Sequence, residues 1–173
     1  QPDILKTLSI IGSSGECIYN VHSTDSYTST ALICQGYDFV NVGNAGSTSQ
    51  IAGNLMVTDP PSYATLNIDD SADFYDSSIT VTNAAVKGMA LHGVTISYNS
   101  ADLNGLNITG NSGNSTYYVR STPSNITTTV TNEGNDTVRV GNAGSLAGIL
   151  VNLVVKNGAN FTTLDVNDSA DLA

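Results

Sequence analysis

Clustered aspartates are the residues of this chain best suited to chemistry, because carboxylate oxygens bind hard cations such as calcium. They recur at two places, and the calcium candidates are Asp69, Asp70, Asp73, Asp168 and Asp171. Neither cluster has the glycine and closing glutamate of an EF-hand loop, so a cation would be weakly bound and structural. An acidic turn facing water explains the same residues without a metal, and we favour that interpretation. We therefore predict no cofactor, with calcium as the alternative.

Other side chains offer little for catalysis. The arginines are Arg120 and Arg139, and the histidines, His22 and His92, have no serine or cysteine nucleophile at a distinctive spacing. We expect both histidines at the surface or in turns. Polysaccharide-cleaving β-helices combine clustered aspartates with arginine or lysine in a groove, and such an enzyme is our third hypothesis. The sequence nevertheless predicts a protein without enzyme activity.

Asparagines in the pattern Asn-x-Ser/Thr could carry N-linked glycans. The six acceptor sites all lie in the second half of the chain, at Asn107, Asn114, Asn125, Asn135, Asn160 and Asn167. They flank predicted strands at turns that should be exposed, so several would carry glycans in a secreted eukaryotic protein.

An internal repeat organises the elements that would position these residues. Residues 37–47, YDFVNVGNAGS, return at residues 135–145 as NDTVRVGNAGS, a shift of 98 residues. Applied to residues 1–75, the same shift gives 31 identities in 75 positions. We name residues 1–98 copy 1 and residues 99–173 copy 2, which is incomplete, and we predict one continuous solenoid over residues 1–173. The repeated GNAG should form a corner with positive φ angles.

Apolar–polar–apolar triplets recur through both copies and predict short strands with one buried face. Eight such strands fit copy 1, and the segment 84–91, AAVKGMAL, could form a helical turn or two. The favoured fold is all-β: a parallel β-helix or solenoid with two strands per coil, because alternate strands are separated by about 22 to 28 residues. Tandem immunoglobulin-like β-sandwiches of about 100 residues each are the alternative.

The two cysteines, Cys17 and Cys34, are in phase with inward-facing positions of neighbouring predicted strands. Their counterparts in copy 2 are Ser115 and Asn132, so both positions change together, as residues in contact would. We predict a disulfide between them, with two buried free thiols as the alternative. A disulfide would imply an oxidising compartment.

Charge and hydropathy exclude two classes of partner. The formal net charge is −10 and the pI is near 4.1, so the chain should repel nucleic-acid phosphates and anionic lipid surfaces. It contains no apolar run of about 18 residues, which excludes insertion of a helix into a membrane. We expect an extracellular or cell-surface protein with neither partner.

Three short runs carry a family resemblance. Residues 133–138, EGNDTV, together with residues 164–171, LDVNDSAD, and 68–73, IDDSAD, resemble the large secreted and cell-surface repeat proteins of bacteria, a β-solenoid class. The GNDTV run is also similar to the nonapeptide of the hemolysin-type calcium-binding, or repeats-in-toxin, family. That family coordinates calcium between consecutive turns, whereas here the motif occurs once per copy, with residues 36–39, GYDF, as its counterpart in copy 1.

Copy 2 stops at the counterpart of Tyr75, so a solenoid would present strand edges at both ends. Our first hypothesis is a non-enzymatic structural protein of an extracellular filament, sheath or surface layer, glycosylated and self-associating end to end into a fibre or array. The alternative is an adhesin stalk or carbohydrate-binding surface module, in which exposed tyrosines stack on sugars; the candidates are Tyr27, Tyr37, Tyr63, Tyr75 and Tyr98.

Overall fold

The computed structural model describes residues 6–89, 93–158 and 160–171. These residues form short strands and one 3-10 helix at Ser100–Asp102. The strands are β1 (Lys6–Ile11), β2 (Ile18–Val21), β3 (Thr28–Ile33), β4 (Asp38–Val42), β5 (Leu55–Thr58), β6 (Ala64–Asp69), β7 (Ser78–Val81), β8 (Ala85–Lys87), β9 (Thr95–Tyr98), β10 (Leu103–Thr109), β11 (Thr116–Val119), β12 (Thr128–Asn132), β13 (Asp136–Val140), β14 (Leu153–Asn157) and β15 (Thr162–Val166). The predicted all-β class is confirmed.

The strands belong to two sheets. Sheet A has the order β1-β3-β5-β9-β8-β7-β11-β13-β15, and sheet B has the order β2-β4-β6-β10-β12-β14. Every pairing is parallel except those of β8, which is antiparallel to both of its neighbours. The chain therefore winds as a parallel β-solenoid of about six turns, as predicted. An immunoglobulin-like sandwich is excluded because its strands would pair antiparallel.

Alternation with period two places the core between the sheets. Val40 and Val42 of β4 are buried, whereas Phe39 between Asp38 and Val40 is exposed. The same pattern in the other strands gathers buried side chains from both copies into one hydrophobic cluster. Leu66 and Leu106, from adjacent strands of different copies, pair within it.

Residues 84–91 correct one prediction, because no helical turn forms at Ala85–Lys87. That segment is β8, the middle strand of a three-stranded meander between β7 and β9. Thr82 stops β7 and starts the turn, since its hydroxyl oxygen accepts the Ala85 N–H at 3.0 Å. Gly88, at φ +86°, turns the chain toward β9. Residues 90–91 lie outside the described residues.

From β1 to β10 the chain crosses between the two sheets an odd number of times. Strands β1 to β6 alternate between sheets A and B, and the meander then lies wholly in sheet A. Copy 1 thus has seven successive positions, six single strands and one meander, so copy 2 starts in sheet B with β10. Equivalent strands of the two copies, such as β4 and β13, consequently lie in opposite sheets. Any surface feature that recurs in the repeat appears on opposite sides of the solenoid.

The repeated GNAG forms the corner that the sequence predicts. After β4, Gly43, Ala45 and Gly46 have φ angles of +125°, +49° and +80°, and the counterparts in copy 2 have nearly the same values. A side chain on Gly43 would meet the Asp69 carbonyl oxygen of the next coil at 2.5 Å. Glycine is needed there both for its φ angle and for this close approach.

Position in the stack should decide the energetic cost of a substitution at equivalent repeat positions. Leu106→Ala removes a fully buried side chain and should lower the free energy of unfolding by about 2 to 5 kcal/mol. Leu8→Ala, at the same repeat position in the end strand β1, should cost about 1 kcal/mol or less because Leu8 is half exposed. Denaturant unfolding of dilute protein measures both, and equal losses would contradict the described stacking order.

Candidate functional site

The aspartates proposed as calcium ligands bind the GNAG corner of the preceding coil. Asp70 accepts hydrogen bonds from the Thr48 N–H and hydroxyl at 3.0 and 2.6 Å, and Asp73 accepts one from the Ser47 hydroxyl at 2.9 Å. Asp69 accepts the N–H of Ser71 within its own turn. Hydrogen bonds within the protein thus occupy oxygens of all three carboxylates.

Copy 2 repeats this arrangement at an exposed end. Asp168 and Asp171 both accept the Leu146 N–H, at 3.3 and 2.9 Å. A hydrogen bond between the two carboxyl groups raises the pKa of Asp168 and lowers that of Asp171. Over residues 6–89, 93–158 and 160–171, no three His, Cys, Asp or Glu side chains are grouped so as to hold a metal.

The motif that resembles the repeats-in-toxin nonapeptide also ties one coil to another. Asp136 of GNDTV is buried and accepts the N–H groups of Ser115 and Gly134 at 2.8 and 3.2 Å. Burial raises the pKa of Asp136, while these donors lower it. Asp38 has the same role in copy 1, where it accepts the Cys17 N–H at 2.7 Å. A corner that fixes backbone N–H groups explains why both copies carry an aspartate here.

The predicted disulfide between Cys17 and Cys34 is absent, because both residues are free thiols. Cys17 precedes β2 of sheet B and Cys34 follows β3 of sheet A, and both residues lie near Asp38, which accepts the Cys17 N–H. Cys17 Sγ lies 3.3 Å from Ser13 Oγ. Burial raises the pKa of the Cys34 thiol to about 12. Two free thiols do not indicate an oxidising compartment.

All six predicted glycan acceptors are exposed. Two of them use the side-chain nitrogen that would carry a glycan: Asn107 Nδ2 donates to Asn67 Oδ1, and Asn160 Nδ2 donates to the Glu133 carbonyl oxygen. His22 is exposed as well, as expected, while His92 lies outside the described residues.

A ladder of asparagine side chains follows the outer face of sheet B. Asn41 Nδ2 donates to Asn20 Oδ1 at 2.9 Å, and Asn67 Nδ2 donates to Asn41 Oδ1 at 2.8 Å. Asn107 continues the ladder into copy 2 at 2.9 Å. These residues line a groove of about 520 Å³ with His22 beside the GNAG corner. We call it the amide groove; each rung has a free amide hydrogen and oxygen lone pair to offer a ligand.

Copy 2 forms the equivalent groove in sheet A with different chemistry. The counterparts of Asn20, Asn41 and Asn67 are Tyr118, Arg139 and Asp165, which line a groove of about 370 Å³. The guanidinium carbons of Arg120 and Arg139 lie 5.9 and 6.0 Å from the centre of the Tyr118 ring. This second groove is charged, whereas the amide groove is largely neutral.

Aromatic side chains lie on the same outer face as the amide groove. Tyr37 and Tyr63 precede β4 and β6, are exposed, and have ring centres 6.4 Å apart. Phe39 stands on β4 two residues before Asn41, so both point outward. Among the other tyrosines considered for sugar stacking, Tyr27 is exposed, Tyr75 is half-buried and Tyr98 is buried. Only part of the predicted set is thus accessible.

The asparagine ladder was missed from the sequence. Asn20, Asn41, Asn67 and Asn107 each occupy an outward position of a predicted strand, a signal that becomes visible only when the strands of sheet B are stacked in register. The sequence indicated which residues point outward but not which strands are neighbours.

Comparison of the chain with protein-family models, curated proteins and solved structures finds no match. Within the described ranges, no helix is long and apolar enough to cross a membrane. The residues of this chain alone must therefore support a functional proposal.

One buried carboxylate should make stability depend on pH. Asp59 is fully buried, and neither carboxylate oxygen has a hydrogen-bond partner among the described residues. Burial, with the nearby charges of Asp38 and Asp102, raises the pKa of Asp59 from 3.8 to about 6. The folded protein therefore keeps this proton to higher pH than the unfolded chain. The free energy of unfolding should consequently fall as the pH rises from about 4 to about 6.

Asp59→Asn, which introduces the residue found at the counterpart position Asn157, should reduce this fall in the free energy of unfolding by up to about 3 kcal/mol. Denaturant unfolding at about pH 4 and about pH 7 would measure the difference. The Asp70 contribution should remain, since burial raises the pKa of Asp70 to about 6 as well. Glu16→Gln, which removes a charge at an exposed position, is the control. An unchanged pH dependence in Asp59→Asn would contradict this account.

Proposed function

We propose that this chain is a non-enzymatic structural protein of an extracellular filament, sheath or surface layer, which carries glycans and assembles end to end. The observation that supports the proposal is that both ends of the described solenoid expose side chains of core type. In β1, Leu8 and Ile10 are 50% and 44% exposed, and in β15, Leu164 and Val166 are both 54% exposed.

The repeat provides a measure of how unusual this exposure is. The internal counterparts of Leu8 and Ile10 are Leu106 and Ile108, which are 0% and 1% exposed. The counterparts of Leu164 and Val166 are Leu66 and Ile68, again 0% and 1% exposed. The same repeat positions are thus core inside the stack and surface at its ends, which is the pattern expected of surfaces that another coil covers.

Unpaired backbone groups add to the attraction between ends. Strands β1 and β15 are the outermost strands of sheet A, and β2 and β14 are the outermost strands of sheet B in the described chain. The outer edge of each presents N–H and C=O groups to any strand that aligns with it. A net charge of −10 opposes association along the sides, so we propose contact through the ends and a stronger association at high salt.

A charged substitution in an end strand should weaken end-to-end assembly. Ile10→Lys places a charge at the apolar end and should raise the protein concentration needed for assembly at least about tenfold, which is about 1.4 kcal/mol. Ile11→Lys, on the same strand but facing outward, is the matched control and should assemble like the parent. Sedimentation velocity and electron microscopy would measure rod formation. A parent protein that stays monomeric at high concentration would refute end-to-end assembly.

A carbohydrate-binding module is the second candidate, and the exposed Tyr37–Tyr63 pair, which precedes strands of the same sheet as the amide groove, favours it. Aromatic faces supply apolar contact for a sugar ring, and side-chain amides supply hydrogen bonds to its hydroxyl groups. Neither feature requires a catalytic acid.

The second candidate predicts that a glycan array identifies a bound oligosaccharide. Replacing both Tyr37 and Tyr63 by Ala should weaken its binding at least about tenfold. Tyr27→Ala is the matched control, because Tyr27 is exposed but precedes β3 of sheet A, whereas the amide groove lies on sheet B. An array without any bound glycan would count against this candidate and leave the structural proposal intact.

A further inference from the structure

The solenoid contains, between its two copies, an example of how one repeat follows another. Strand β6, the last single strand of copy 1 before the meander, pairs in parallel with β10, the first strand of copy 2. In this pairing Leu66 lies opposite Leu106, Asn67 opposite Asn107, and Ile68 opposite Ile108. We call this pairing the internal junction.

The end strands of the chain are the repeat counterparts of the two strands in this junction. Strand β15 corresponds to β6, and β1 corresponds to β10, through the shift of 98 residues. From this correspondence we infer that β1 of one molecule adds in parallel to the free edge of β15 of a second copy. In the proposed register Leu8 lies opposite Leu164, Ser9 opposite Asp165, and Ile10 opposite Val166. The inference rests on the proposed end-to-end assembly and specifies its joint.

The sheet positions of β1 and β15 permit this joint. Both strands belong to sheet A, they form its opposite edges, and they run in the same direction. The internal junction lies in sheet B. Equivalent strands of successive copies lie in opposite sheets, so the next junction of the same kind would pair β15 with a first strand in sheet A. Each added molecule presents a new free β15, so the contact is head-to-tail and can be repeated from one molecule to the next.

The side chains at the joint are complementary. The inward residues Leu8 and Ile10 would meet Leu164 and Val166, which reproduces the contact between buried residues at the internal junction. Strand β1 carries one charge, that of Lys6, and β15 carries one charge, that of Asp165. In the proposed register these two charges lie three positions apart and on opposite faces of the strands, so the joint depends on the apolar contact.

One difference from the internal junction weakens the joint. Inside the chain, the meander of β7, β8 and β9 lies between β5 and β11 in sheet A, while the β6–β10 junction lies in sheet B. Between the described end strands, the joint is carried by sheet A alone. Assembly should therefore depend on protein concentration and reverse on dilution.

Cysteine cross-linking tests the register. Two proteins, each with one introduced cysteine, are made in a Cys17→Ser background, which copies Ser115; the native Cys34 is retained because it is buried. One carries Ser9→Cys and the other carries Asp165→Cys, both at outward positions of the end strands. The proposed register brings these residues side by side at about 5 Å, within reach of a disulfide. Oxidation of an equal mixture should give a dimer between the two proteins.

The matched control mixes Ser9→Cys with Thr163→Cys. Thr163 faces outward from β15 like Asp165, but it lies two residues away, which separates the α-carbons by about 8 Å, too far for a disulfide. The Asp165 mixture should therefore give at least about tenfold more cross-linked dimer than the control. Sedimentation of the same samples before oxidation reports whether rods have formed.

The outcomes separate the joint from the proposed function. Rods with a cross-link specific to Asp165 support both. Rods that do not cross-link, or that cross-link equally well through Thr163, overturn the proposed register and leave end-to-end assembly standing. Absence of rods at any concentration or salt overturns the proposed function, and the joint with it.

Discussion

Buried aspartates that accept backbone N–H groups from a neighbouring coil hold the corners of this solenoid. Burying a carboxylate costs free energy unless hydrogen-bond donors replace water, and the corner supplies them as backbone N–H groups. Asp38 and Asp136 bind the turn before the strand of the preceding coil, and Asp70 binds the loop after GNAG. Because coil corners otherwise leave N–H groups unpaired, these carboxylates determine where one coil can rest on the next.

This role gives the acidic motifs a physical explanation within the fold. An aspartate directed at a ligand would present its oxygens to solvent or to other ligating groups, whereas those of Asp70 and Asp136 point at protein donors. The likeness of EGNDTV to a calcium-binding nonapeptide is therefore accounted for by turn geometry. Asp59 differs, since it is buried and neither of its carboxylate oxygens has a hydrogen-bond partner in the described chain.

The odd number of sheet crossings in copy 1 determines how the surface is arranged. The amide groove and its charged counterpart lie on opposite sides because the seven strand positions of copy 1 make three and a half coils. One repeat has thus produced two faces with different chemistry. The same parity places β15, like β1, in sheet A.

The sequence alone determined the local properties: the alternation of buried and exposed residues, the GNAG corners, the 98-residue period and the exposure of the six glycan acceptors. These depend on strand pleat and turn stereochemistry, which a few neighbouring residues specify. Tertiary structure decided which strands are neighbours, and this aligned the asparagine ladder and made Ala85–Lys87 a strand. Strand pairing joins residues about 20 to 40 positions apart, so its partners are chosen by the packing of whole coils and not by local pattern.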